Sequence, residues 1–171
     1  MVMTRRKRAL APQSVQKRFI SPCLHYLVMR LYLAADHGGF ELKELLKPFL
    51  AEKGLDVIDL GTNSKDSVDY PDFALELGKK VAGENVLGVL ICGTGIGMSI
   101  AANKVKGVRA ALAYDENTAK LAKEHNNANV LCLGGRTTTP GNAEKILSAW
   151  LDAKFQGDRH ERRVNKIDSF K

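Results

Sequence analysis

The sequence predicts an α/β protein: a three-layer α/β/α sandwich on a Rossmann-like, five-stranded parallel sheet, in a single domain. Three observations point there. From residue 30 onward, short apolar runs alternate with amphipathic stretches, a rhythm that implies parallel strands joined by crossovers. The central run, Val86–Ile91, is apolar throughout, as suits a strand covered on both faces. Glycine-rich turns follow several runs, at the strand ends where such sheets bind ligands.

Arg30–Ala35 is the first strand and ends at Asp36-His37-Gly38-Gly39. Phe40–Lys53 spaces Phe40, Leu42, Leu45, Leu46, Phe49 and Leu50 three and four residues apart, which makes it an amphipathic helix. Pro48 is placed to kink that helix and Gly54 to stop it. Leu55–Leu60 is the second strand, followed by a polar loop from Gly61 to Tyr70, and Pro71 opens a helix to about Val81. After Val86–Ile91 a helix covers Ile96–Lys104. Val108–Ala113 is the fourth strand, Asp115–His125 a helix, and Asn129–Leu133 the fifth strand. Pro140–Phe155 reads as a long helix, and the basic tail GDRHERRV leads into a short final one. No internal repeat or linker divides the chain.

The net charge of +7 is unevenly spread. Residues 1–29 hold six cations and no acid, leaving 20 Lys/Arg against 19 Asp/Glu for the rest. The excess therefore sits in a terminal arm, and the near-neutral body argues against a nucleic-acid partner. No apolar run approaches the roughly 18 residues of a membrane-spanning helix, and no membrane partner is expected. Residues 1–28 lack the continuous apolar segment of a secretory signal. They fit an organelle transit segment, a disordered basic arm, or sequence upstream of a start at Met29. The folded domain is set at residues 29–171. Cys23, Cys92 and Cys132 form neither a disulfide framework nor a CxxC pair, so reduced thiols and a cytoplasmic setting are expected. His25, His37, His125 and His160 show no HExxH-type spacing, so no metal is expected.

The sharpest local signal is Ile91-Cys92-Gly93-Thr94-Gly95-Ile96-Gly97-Met98. A strand running into a glycine-rich turn and a helix lets several backbone N–H groups converge on an anion. It is not a dinucleotide fingerprint, because Met98 stands where the third glycine belongs, and no Gly-Lys-Ser/Thr makes it a P-loop. Cys92 lies at the mouth of that turn, where the positive end of a helix favours a thiolate able to serve as nucleophile or base. Cys132, inside the apolar NVLCLGG run, reads as core. Arg159 and Arg163, four residues apart, share a helical face and can grip one phosphate. Asp36-His37 and His125-Asn126 complete the polar signals, and the strand-end rule makes Asp36-His37, Cys92–Gly97 and Gly134–Arg136 neighbours.

Together these pieces resemble a known family. Ala34–Lys43 (AADHGGFELK), Asp69-Tyr70-Pro71, Ile91–Gly97, Ala101–Lys104, His125-Asn126 and Gly157–Arg163 look like the B-type ribose-5-phosphate isomerases, which include the galactose-6-phosphate isomerase subunits. The likeness runs in order from Arg30 to Lys171, and residues 1–28 have no counterpart. It implies cofactor-free aldose–ketose isomerisation of ribose 5-phosphate and ribulose 5-phosphate. Cys92 resembles the family's base, moving a proton between C1 and C2 through an enediolate. The turn residues Gly93, Gly95, Ile96 and Gly97 resemble the backbone cradle of the developing charge. Thr94 and His125 resemble the ring-opening residues, and Asp36 and Asn126 the contacts to hydroxyls. His37, Arg136, Arg159 and Arg163 look like the phosphate-binding set, with Tyr70 a pocket residue. Family sites form at a dimer interface, so a homodimer or dimer of dimers sharing its sites is implied. The presence of Cys92 places the chain with the cysteine-base members, and the intact His125, Arg159 and Arg163 set favours a five-carbon substrate. Allose 6-phosphate, galactose 6-phosphate and a non-catalytic phosphosugar sensor are the rival readings.

Overall fold

Alternate residues of each strand face opposite ways, and both directions here are apolar. Leu31, Leu33, Ala35, Val89, Ile91, Leu131 and Leu133 point to one side, and Tyr32, Ala34, Leu90, Cys92, Val130 and Cys132 to the other. In the computed structural model, which describes residues 28–170, these runs form β1 (Arg30–Ala35), β2 (Asp56–Asp59), β3 (Leu87–Cys92), β4 (Ala110–Leu112) and β5 (Val130–Gly134). They pair in parallel in the order β2-β1-β3-β5-β4, with β3 central.

The first face is covered by α1 (Phe40–Glu52), α4 (Glu116–Asn126) and α5 (Pro140–Asp152), through Leu42, Leu46, Leu50, Ala119, Ile146, Leu147 and Trp150. The second is covered by α2 (Tyr70–Glu84) and α3 (Ile96–Ala102), through Ala74, Leu77, Val81, Met98 and Ala102. This is the three-layer sandwich the sequence predicts. A sixth helix, α6 (Asp158–Ser169), packs on α4.

Helix starts follow local chemistry. Asp115 caps α4, its carboxylate accepting from Thr118 N–H at 2.7 Å while the Thr118 hydroxyl accepts from Asp115 N–H at 3.3 Å. Thr139 caps α5, with Pro140 in its first turn.

Several boundaries differ from expectation. The basic segment placed in a tail is itself the start of α6, and α5 stops at Asp152 rather than Phe155. The segment Asp158–Arg163 reads as tail because its buried face is carried by His160 and Val164, which is too little apolar character to show a period. α1 runs through Pro48 without a break. β2 and β4 are shorter than expected, as suits the two edges of the sheet. The basic extension expected over residues 1–28 lies outside the described residues except for Val28, as do Cys23 and His25. Among the described residues no helix is long and apolar enough to cross a membrane.

Candidate active site

β3 sends its chain into α3 on one face, whereas its neighbours β1 and β5 send theirs into α1 and α5 on the other. The chain divergence opens a crevice at the carboxyl ends of these strands, and their three turns meet there. Gly135 N–H donates to Cys92 O at 2.7 Å and Arg136 N–H to Gly93 O at 3.0 Å. The turns touch backbone to backbone: a Cβ on Gly38 would lie 3.0 Å from Gly93 N, and one on Gly135 2.6 Å from Gly38 O. A side chain at Gly135 would force the two backbones apart, and one at Gly38 would crowd them.

Cys92 ends β3 with 5% of its surface exposed. Its Sγ accepts the Gly95 N–H at 3.1 Å, an arrangement set by the left-handed Gly95 (φ +78°) at the head of α3. Thr94 is exposed on the turn, and its hydroxyl accepts from Ile96 N–H at 3.4 Å. Asp36 is buried and its Oδ1 accepts from Gly39 N–H at 3.0 Å. His37 Nδ1 accepts from Val68 N–H at 3.3 Å, which leaves Nε2 as the protonated nitrogen of the neutral ring. The Tyr70 ring lies against Gly97, where a Cβ would come within 2.7 Å of Cζ. Arg136 is exposed beside Gly93, with Nη1 3.4 Å from the place of a Cβ there. Asp36, His37, Tyr70, Cys92, the Gly93–Gly97 turn and Arg136 thus share one crevice.

The remaining predicted residues lie elsewhere. α4 starts at the carboxyl end of β4 and returns to the amino end of β5, so His125 and Asn126 sit at the opposite edge of the sheet. Five residues of strand at about 3.3 Å each put roughly 16 Å between the two edges. α6 is fastened at that same edge. Gln156 N–H donates to Glu124 O at 3.0 Å, and Arg109 holds the Asp168 carboxylate at 2.8 and 3.0 Å. The Arg109 Nε–H reaches Asn126 O and Asn127 O at 3.2 and 3.1 Å. His125 stacks on His160, with Arg159 and Arg163 exposed on α6 beside them. One chain therefore carries two separate groups: a crevice with Cys92, and a basic cluster with His125.

Sequence reasoning passed over the residues that hold these groups. Lys43 is fully buried and pairs with Asp59 and with Glu44 at 2.8 Å; Asp59 also accepts from Gly61 N–H at 2.9 Å, steadying the loop that leads to Val68 and Tyr70. Arg109 had no local signal, since its partners lie up to 59 residues away. Among the described residues no cluster of three or more His, Cys, Asp or Glu is placed to hold a metal ion.

A family model described as Ribose/Galactose Isomerase matches residues 31–167. Ribose-5-phosphate isomerase B of Escherichia coli is 44% identical over 139 residues, covering 81% of this chain and 93% of that protein. The crystal structure of a ribose 5-phosphate isomerase from Thermotoga maritima superposes with a TM-score of 0.81 at 47% identity, over 83% of this chain and 99% of that one. The Mycoplasma genitalium ribose-5-phosphate isomerase B, solved with bound ribulose 5-phosphate, gives 0.79 at 48% identity, over 82% and 94% of the two chains.

Proposed function

Because the chain belongs to the ribose/galactose isomerase family, we propose that it interconverts ribose 5-phosphate and ribulose 5-phosphate without a cofactor, using Cys92 as the base. The observation that carries the reading is the Cys92 sulfur at the end of the central strand, facing the Gly95 N–H inside a glycine turn. Isomerisation needs a base beside the carbon next to a carbonyl and donors for the oxygen that becomes negative. The Cys92 thiolate takes the proton from C2 of the open-chain aldose and the carbonyl oxygen at C1 takes up the charge; the C2 hydroxyl proton then passes to that oxygen, and the Cys92 thiol returns its proton to C1 as the carbonyl forms at C2. Gly93, Ile96 and Gly97 supply backbone N–H groups to the C1 oxygen, beside the Gly95 N–H that holds the sulfur. Asp36 and Asn126 hold hydroxyls, Thr94 and His125 open the furanose ring, and Tyr70 walls the pocket. His37, Arg136, Arg159 and Arg163 bind the phosphate, whose charge of about −1.5 to −2 asks for cations away from the base.

The two half-sites on opposite edges of one sheet support a homodimer, or a dimer of dimers, in which His125, Asn126, Arg159 and Arg163 of one copy meet Cys92 of another. Ile96 and Ile100 on α3 and Tyr114 beyond β4, 52%, 59% and 70% exposed, offer apolar surface near the crevice for that contact. A cytoplasmic setting goes with a phosphorylated metabolite as substrate.

The test is conversion of ribose 5-phosphate by the purified protein with EDTA present, beside Cys92→Ala and an allose 6-phosphate control. The variant should bind substrate and lose on the order of 10²–10⁴-fold in turnover; activity above about a tenth of wild type removes Cys92 from the role. Faster turnover of allose 6-phosphate would assign a six-carbon substrate. If neither sugar turns over, the non-catalytic phosphosugar-binding reading is the one to test, by direct sugar-phosphate binding.

A further inference from the structure

The imidazoles of His125 and His160 lie face to face, ring centres 4.2 Å apart and planes inclined by 10°. One belongs to the last turn of α4 and the other to the first turn of α6, so the pair joins two elements. His160 is only 6% exposed, and its Nε2 accepts the Arg159 Nε–H at 3.3 Å. The accepting nitrogen carries no proton, so the neutral ring holds its proton on Nδ1. This bond uses only the Nε of Arg159. Its two Nη groups make no hydrogen bond among the described residues and can fork onto a phosphate.

We infer that His160 is a positioning residue for both halves of the basic cluster: its ring face sets the plane of His125, and its Nε2 sets the direction of Arg159. The inference rests on the sugar-phosphate reading above, which gives His125 the ring opening and Arg159 the phosphate. The alternative is that His160 merely fills space under α6. Two features go beyond that. A space-filling residue needs no parallel ring partner, and it needs no acceptor aimed at the side chain of the preceding arginine. Burial, with His125, Arg159 and Arg163 nearby, holds the His160 pKa below the ordinary histidine value and keeps it the uncharged acceptor.

Two substitutions separate the two tasks. His160→Gln keeps an acceptor for Arg159 and loses the ring face, so kcat should fall on the order of ten-fold while KM stays within about two-fold. His160→Phe keeps the face and loses the acceptor, so KM should rise about five-fold with kcat nearly unchanged. Thermal unfolding of both variants shows whether the fold survives the change. A variant with wild-type kinetics, or two folded variants that each lower kcat and raise KM together, overturns the inference.

Nuclear magnetic resonance of the ligand-free protein reads the stack without any turnover. The His125 ring protons should be displaced upfield by the facing ring, should lose that displacement in His160→Gln, and should keep it in His160→Phe. Resonances that do not respond to His160→Gln also overturn the inference. If wild-type protein converts no sugar phosphate while the resonances move as expected, it is the functional reading that fails, and the positioning of His125 stands.

Discussion

Cys92 and Cys132 show how position divides two thiols of similar surroundings. Cys132 is enclosed within β5, where burial, with Cys92 close by, pushes its thiol well above the ordinary value and keeps it an apolar filler. Cys92, at a strand end, meets a backbone donor instead. A similar argument separates the cations. Arg163 is exposed and fits the phosphate end of the proposed substrate, so Arg163→Ala should raise KM several-fold with kcat little changed in steady-state assays; unchanged kinetics would move the phosphate site. Lys43 is the opposite case, a buried ammonium held by Asp59 and Glu44. Burial opposes the Asp59 charge, but the Lys43 bond, the Gly61 N–H and Lys47 outweigh it and hold the carboxyl below its usual range. A carboxyl with a depressed folded-state pKa stabilises at any pH above its unfolded value, and that contribution fades as pH falls through the lower folded value. Asp59→Asn should therefore cost about 3 kcal/mol at pH 7, toward the low end for breaking a buried pair because Glu44 stays. It should also flatten the loss of stability as pH falls below about 4 in urea titrations, since the group that titrates there is gone.

Among elements, α6 is the one that function asks most of and that the fold holds least. Its main contact is with α4, and its footing is the His125–His160 stack, the Gln156 N–H bond and Arg109. Arg109→Leu should free its far end. Amide exchange should then quicken across Asp158–Ser169 with little change in β3 or β5, and KM should rise; equal protection in both proteins would show the clasp to be idle. The same elements mark how far the sequence could be read. The five strands, their parallel order of crossing and the crevice at Asp36, Cys92 and Gly135 follow from apolar runs and glycines, which are local signals. α6 does not, because its buried face rests on His160 and Val164 in a run of charges. The Lys43–Asp59 and Arg109–Asp168 pairs join residues 16 and 59 positions apart, and polar letters in a helical pattern read as solvent-facing. The separation of His125 from Cys92 does follow from the pattern, since a helix joining two parallel strands must return its last turn to the amino end of β5.

For the whole molecule, the half-sites make the proposed assembly testable by mixing. Cys92→Ala and His125→Ala chains are each expected to be inactive alone. In a mixed dimer, one of the two shared sites receives an intact Cys92 from one chain and an intact His125 from the other. Random exchange makes about half the dimers mixed, so about a quarter of wild-type activity should return. No recovery after proven subunit exchange would mean that each chain works by itself. A chain bearing half a site on each edge of its sheet is a link with two unlike ends. Stacked head to tail, such links would complete every site except the last and grow into an open row. Turned about a two-fold axis, two of them satisfy each other at once and growth stops. In the proposed pair, that closure requires the shared surface to run the roughly 16 Å depth of the sheet, so the layer that supports the chemistry also sets the reach of the contact.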